Sequence, residues 1–210
     1  MPTRRRLLCL LPAFLLPAVA RAAPAGPAQA AAFIRRTGSD LTAIVASPGP
    51  AALRRARLAG LIDRVVAVDD LARFCLGRFW RLASPRQQAS YVRLFHAVLL
   101  DNILDHIGTG RRLRDPNFSV AIGRTRADGA ETEVLTTVER PGSPALIVVW
   151  LVRQMPDGPR IVDLRALGVS VRLTVRDDIA AYLARHDDSI PRLLVAMRRM
   201  VRAAQAPAAP

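Results

Sequence analysis

Apolar residues recur along this chain with two different periods, and the switches between them divide it into three parts. From about Ala28 to Ala46, the residues Phe33, Ile34, Leu41, Ile44 and Val45 fall at helical spacing, and Ser47-Pro-Gly-Pro50 stops the run. A short Arg-rich helix is expected from Ala51 to about Gly60, then one through Val65, Val66, Leu71, Phe74, Cys75, Leu76 and Phe79 to Leu82. Ser84-Pro85-Arg86-Gln87 reads as a helix start: Ser84 caps, Pro85 takes the first helical position, and Gln87 can bond back to the cap. The helix it opens carries Tyr91, Leu94, Phe95, Val98, Leu99, Ile103 and Ile107 on one wide apolar stripe, which Gly108 ends.

The period then falls to that of a strand. Phe118, Val120 and Ile122 alternate, Ala127-Asp-Gly129 turns, and Thr132, Val134, Thr136 and Val138 alternate against Glu131, Glu133, Leu135, Thr137 and Glu139. Residues 145–152 are continuously apolar and predict a central strand buried on both faces. Asp157-Gly158 turns the chain into a returning strand from Arg160, and Gly168 predicts a bulge or a fresh start before Val169 and Val171 continue the strand pattern towards Val175. Helical spacing returns through Ile179, Tyr182 and Leu183, and a last helix opens at Ser189-Ile-Pro191 and carries Leu193, Leu194, Met197 and Val201. The expected class is α+β: a twisted antiparallel sheet of four to five strands, wrapped by N-terminal and C-terminal helices around an apolar interior. Such an interior is either filled by its own side chains or holds an apolar ligand.

The first 22 residues change the picture. Arg4-Arg5-Arg6 precede an apolar run from Leu7 to Val19 and the small-residue sites Ala18-Val-Ala20 and Ala20-Arg-Ala22, the pattern of a cleavable export signal. The run contains Pro12 and Pro17 and is too short to span a bilayer as a helix. We therefore read residues 1–22 as a signal peptide, 23–203 as one domain beginning with a loose stretch to about 31, and 204–210 as a disordered tail. A periplasmic address follows, reached by the Sec route or, on the Arg pair, by twin-arginine export. After cleavage only Cys75 remains, so no internal disulfide is expected, and its apolar neighbours suggest a buried thiol. The formal charge is +14, yet every basic residue is Arg and none is Lys, which points to coding bias; with no basic-aromatic motif, a nucleic-acid partner is not indicated.

Groups able to do chemistry are sparse. His96, His106 and His186 lack metal-ligand spacing, no Cys-x-x-Cys occurs, and Asp101, Asp105 and His106 are expected to form a solvated polar face of one helix. Gly168-Val-Ser170 is expected inside a strand and not at the strand-to-helix turn of a nucleophile elbow. Asp163, alone among apolar neighbours, reads either as a buried acid paired with an Arg or as a general base in a cone-shaped pocket, with one His as its acid partner. Arg73, Arg78 and Arg81 near Trp80 form either a solvated face or an anion-facing one. Arg192, Arg198, Arg199 and Arg202 read as exposed surface.

Two blocks carry a likeness. Leu76-Gly-Arg-Phe-Trp-Arg-Leu-Ala-Ser-Pro-Arg-Gln-Gln-Ala-Ser-Tyr-Val-Arg-Leu-Phe95 and Ile161-Val-Asp-Leu-Arg-Ala-Leu-Gly-Val-Ser170 resemble, in order and spacing, signature blocks of the MlaC family, also called toluene-tolerance proteins. Three positions depart from the family pattern: Val66-Ala67 where it has Phe-Asp, Leu167 where it has an acid before Gly-Val-Ser, and Ile103 where Tyr is common. The resemblance implies a periplasmic phospholipid carrier that needs no cofactor and exchanges cargo with an inner-membrane ABC transporter complex and an outer-membrane lipoprotein complex, maintaining outer-membrane asymmetry. A hopanoid or other hydrophobic cargo is the alternative, and a small enzyme built on Asp163 is a further one. Residues on the elements that line the family's pocket are Leu76, Trp80, Phe95, Leu99, Ile103, Val134, Val138, Ile147, Val149, Leu151, Val169 and Val171. Core packing is the competing role for each.

Overall fold

The computed structural model describes residues 26–107, 119–140 and 142–205. Its elements run α1 (Pro27–Ala46), α2 (Ala51–Val65), α3 (Val68–Leu76), a 3-10 turn (Gly77–Arg81), α4 (Pro85–Ile107), β1 (Ser119–Asp128), β2 (Glu131–Arg140), β3 (Ser143–Met155), β4 (Gly158–Ala166), β5 (Val169–Ser170), α5 (Val171–Ala184) and α6 (Ile190–Gln205). The expected signal peptide, the stop at Gly108, the start of the first strand at Phe118 and the last five residues lie outside the described residues. The strands form one open antiparallel sheet in chain order, so the fold is α+β as the periodicity predicts. Helix α4 opens as its sequence requires: the Ser84 N–H donates to Gln87 Oε1 at 2.8 Å and the Gln87 N–H to Ser84 Oγ at 3.3 Å.

Several boundaries differ from the sequence reading. Helix α2 runs on to Val65, and the next helix starts only at Val68. Val66 and Ala67 are held on the sheet between them: Val66 makes a parallel bridge to Ile161, and the Ala67 N–H donates to the Ile161 carbonyl at 3.0 Å. Because β5 pairs only with Arg165 and Ala166, this crossing covers the free edge of β4. Gly77, at φ 57°, breaks the following helix into the 3-10 turn, a conformation that glycine adopts without a Cβ penalty. The strand expected through Val171 ends at Ser170, and Val171 instead begins α5. At the ends, α1 already runs from Pro27 through the stretch expected to be loose, and α6 extends to Gln205, past residue 203.

Register separates the two sheet faces. Val134 pairs with Trp150, Thr132 with Val152 and Thr136 with Val148, so these side chains share the inner face, which α1, α2 and α4 cover. Glu131, Glu133, Ile147, Val149 and Leu151 point to the outer face. β3 is covered on both faces only from Val148 to Val152, where Val149 and Trp150 are half-buried; Ala145 and Ile147 are exposed, so the continuous apolar run is not continuously covered. A second core lies beside the sheet, where α3, the 3-10 turn, the first half of α4, α5 and α6 enclose Cys75, Leu76, Phe79, Tyr91, Phe95, Leu183 and Met197.

Candidate functional site

The largest continuous apolar surface between helices and sheet is the inner face. Phe33 and Ile34 of α1, Leu58, Leu61 and Ile62 of α2 and Leu100 of α4 are buried against Val134, Val152 and Ile161, with Leu41, Ile44, Leu99, Ile103, Ile122 and Trp150 at the margins. Its polar groups are already satisfied: the Trp150 indole N–H donates to Thr136 Oγ1 at 3.0 Å, and that hydroxyl donates to the Val148 carbonyl at 3.3 Å. An apolar chain entering here would meet methyls and rings without stranding a donor.

The twelve residues expected at the pocket do not form one surface. Leu99, Ile103 and Val134 belong to the inner face, and Val138 shares its register. Leu76 and Phe95 are buried in the helical core, and Trp80 is half-buried at its rim with the Arg73 guanidinium 5.1 Å from its ring centre. Ile147, Val149 and Leu151 lie on the opposite sheet face, where Leu151 packs with Ala67 and Val162 and Val149 lies alongside. Val169 and Val171 are exposed.

Asp163 is held in a built network. One carboxylate oxygen accepts from Ser170 Oγ at 2.6 Å, the other accepts from the Arg172 N–H at 3.0 Å, and the Arg172 guanidinium stands 3.5 Å away. Ser170 Oγ in turn accepts the Leu173 N–H at 3.2 Å, capping α5. These bonds explain why Val171 is helical: Ser170 and Asp163 take the first amide hydrogens of a helix, overriding the β preference of Val-Ser-Val. Ser170 thus sits at a strand-to-helix turn, contrary to the sequence reading, but its hydroxyl is committed to Asp163 and the cap. Arg172 also reaches Glu131 at 3.2 Å and lies over Phe74, which Arg176 covers as well. Cys75 is buried beside this network, and burial, with the charge of Asp163 adding, pushes its thiol up to about 12. Across the outer face Glu133 bridges Arg126 and Arg165, and the Arg126 hydrogen bond holds its carboxyl below the usual range.

A cleft of about 330 Å³ lies elsewhere, at the end of α2, and is lined by Asp63, Asp69, Asp70, Asp157 and Arg160 among others. Arg160 donates to the terminal carbonyls of α2 at Asp63 and Arg64 and pairs with Asp157. Its polar, open walls do not suit an acyl chain. Asp101, expected on a solvated face, is buried and paired with Arg55 at 2.5 Å. His96 pairs with Asp63 at 3.0 Å, and His186 stacks on Tyr182. Among the described residues no cluster of His, Cys, Asp and Glu could hold a metal, and no helix is long and apolar enough to cross a membrane.

A family model described as MlaC protein matches residues 35–199, most of the chain. The chain belongs to the MlaC family. Its fold matches the solved structure of the phospholipid-binding protein from Ralstonia solanacearum, in complex with a phospholipid, with a TM-score of 0.69 at 20% identity, covering 86% of this chain and 100% of that one. Among curated proteins no sequence match reaches significance. Within this MlaC chain the sequence reading missed Phe33, Ile34, Leu41, Ile44 and Trp150 as inner-face residues. Their helical or strand periodicity was legible, but only the pairing of Val134 with Trp150 fixes the face they share.

Proposed function

We propose that this MlaC protein is a soluble periplasmic carrier that holds the acyl chains of a phospholipid between α1, α4 and the inner sheet face. The observation that carries the reading is that surface itself: apolar, internally satisfied in its hydrogen bonds, and covered on one side by α1, a helix with no side-chain cap at its start. The phospholipid in the Ralstonia relative supports the same cargo class. Leu99, Ile103, Val134, Trp150, Phe33 and Ile44 are the contacts we assign to the chains.

Cargo entry requires α1 to lift. Exposing Phe33 and Ile34 costs on the order of 5 kcal/mol, at about 1.5–3 kcal/mol per large apolar side chain. An acyl chain of about a dozen methylenes returns about 10 kcal/mol at roughly 0.8 kcal/mol each, before the cost of binding is subtracted. The exchange is therefore favourable only with lipid present, and a docking partner can drive release by binding the lifted state better. We assign as those partners an inner-membrane ABC transporter complex and an outer-membrane lipoprotein complex, with outer-membrane lipid asymmetry as the outcome. No catalytic group enters this scheme: both oxygens of Asp163 are engaged by Ser170 and Arg172.

The test is native mass spectrometry of protein purified from the periplasm without detergent, with lipid analysis of an organic extract and Trp150 emission read before and after vesicle treatment. Near-stoichiometric phospholipid with a shifted Trp150 spectrum is expected. A hopanoid would change the cargo, and a homogeneous lipid-free protein that takes up nothing from vesicles would end the carrier reading.

A further inference from the structure

Six of the ten large apolar side chains left exposed among the described residues gather at one end of the sheet; the other four are Leu53, Leu82, Val195 and Met200. This end holds the start of β1, the β2–β3 turn, the end of β4, β5 and the first turn of α5. Val120 is 51% exposed, Ile147 52%, Leu167 82%, Val169 58%, Val171 43% and Leu173 49%. Scattered single exposures are ordinary, but a cluster at one end is not. Leu167 is the most telling. With Gly168 it forms the two-residue turn between β4 and β5, both at positive φ, 52° and 80°. That turn selects Asn or Asp at its first position, and a leucine there is disfavoured by its backbone as well as by its exposure to water.

Cations flank the same end. The Arg172 carbonyl accepts from Cys75 Sγ at 3.5 Å, and the Arg176 guanidinium lies 3.6 Å from where a Cβ would stand on Gly77, so the 3-10 turn packs beside the first turns of α5. Arg73, Arg81 and Arg176 in this region have no carboxylate partner within 4.0 Å among the described residues, and Arg78 has only Asp188 at 3.9 Å. Asp177 and Asp178 follow Arg176 directly on α5, so the three arginines without a carboxylate partner outnumber two neighbouring acids.

We propose that this end is a bilayer-contacting rim: Leu167 and Val169 enter the interfacial layer of an anionic membrane while Arg73, Arg81 and Arg176 face its headgroups. Two observations select a bilayer over a protein surface. The six side chains project from a tight turn and from element ends, too few to cover the roughly 800 Å² per partner of a stable protein interface. The adjoining charge is net positive, with Arg73, Arg81 and Arg176 against Asp177 and Asp178, which complements anionic lipid. A few apolar prongs with electrostatic attraction give reversible attachment, as a molecule that must leave again requires. The proposal rests on the carrier reading for its purpose, but its test is separate.

The exported chain and a Leu167→Asn/Val169→Thr variant are compared by co-sedimentation with vesicles of phosphatidylethanolamine and phosphatidylglycerol, with phosphatidylcholine vesicles alongside. Asn suits the turn and Thr suits the strand, so the variant keeps its thermal midpoint or gains in it. The expected result is wild-type binding to the anionic vesicles that weakens with salt, and a roughly tenfold lower partition coefficient for the variant. Equal binding by the two proteins overturns the rim, as does a wild type that ignores anionic vesicles, including one whose Leu167 matters only for capture by a protein partner. Native mass spectrometry of both proteins keeps the two readings apart. Bound lipid with unchanged vesicle partition removes the rim and leaves the carrier, whereas absent lipid with the tenfold loss removes the carrier and leaves the rim.

Discussion

Replacing Asp163 separates its structural role from the catalytic one that an isolated acid among apolar residues also suggests. Asp163→Ala leaves the Ser170 hydroxyl and the Arg172 N–H without their acceptor, and takes from the Arg172 guanidinium the more deeply buried of its two carboxylates. Breaking a buried charged pair by removing one member costs about 3–5 kcal/mol. Arg172 keeps Glu131 at 3.2 Å and its stacking on Phe74, so the lower end, about 3 kcal/mol, is expected. Against a total of about 5–15 kcal/mol for a domain, that is a large fraction. Asp163→Asn preserves the shape and one acceptor and should lose only about 1–2 kcal/mol, because neutral hydrogen bonds are weaker than charge-assisted ones. The assay is urea unfolding at pH 7, with the denaturant slope compared among the three proteins to exclude a changed unfolded state. A loss below about 1 kcal/mol for Asp163→Ala, or equal losses for the two variants, would refute the network argument. A stable variant that retained lipid but lost a lipid-modifying activity would restore Asp163 as a base.

Two further outcomes follow from buried groups in the helical core. The Tyr91 hydroxyl is buried with no hydrogen-bond partner among the described residues, and burial pushes its pKa up; Tyr91→Phe should therefore be neutral or stabilise by up to about 1 kcal/mol in thermal unfolding, and a loss above about 1 kcal/mol would reveal a partner for it. The Cys75 thiol has its folded pKa raised from 9.0 to about 12. The unfolded chain therefore gives up this proton first, so its contribution is intact below pH 9 and is lost as pH rises from there towards 12. Cys75→Ala should show a smaller alkaline loss than wild type, by roughly 1 kcal/mol at pH 10 in urea titrations, and identical slopes would contradict the assignment.

Local chemistry made much of the fold legible. Ser84-Pro85-Arg86-Gln87 states a helix start in four residues, and alternation from Thr132 to Glu139 states a half-buried strand, because each signal is closed within a few positions. The errors arose where a distant residue decided the backbone. Val66 and Ala67 have apolar side chains compatible with helix, yet Ile161, nearly a hundred positions later, takes the Ala67 amide. Val169-Ser-Val171 favours a strand on propensity, but the Asp163 carboxylate and the Ser170 hydroxyl supply acceptors for a helix start.

The candidate surface was less legible than the fold because a strand signal of period two names two faces without saying which is covered. Val134 and Leu151 both read as fully buried β-strand apolar residues, and both are, at 0% exposure, but against different partners: Val134 faces α1 and α2, and Leu151 faces Ala67 and Val162. Only the register, in which Val134 meets Trp150 and Glu133 meets Leu151, assigns them to opposite sides. The ion pairs then explain which side is which. Glu131 and Glu133 alternate with Thr132 and Val134, and the arginines that reach them, Arg126, Arg153, Arg165 and Arg172, hold those carboxylates on the outer face. Burying that face under α1 would desolvate at least two carboxylates and four guanidiniums, whereas the inner face offers threonines whose hydroxyls can bond within the sheet, as Thr136 does. Charge on one side, more than hydrophobicity on the other, therefore decides where α1 can lie, and with it which face is left for the proposed cargo.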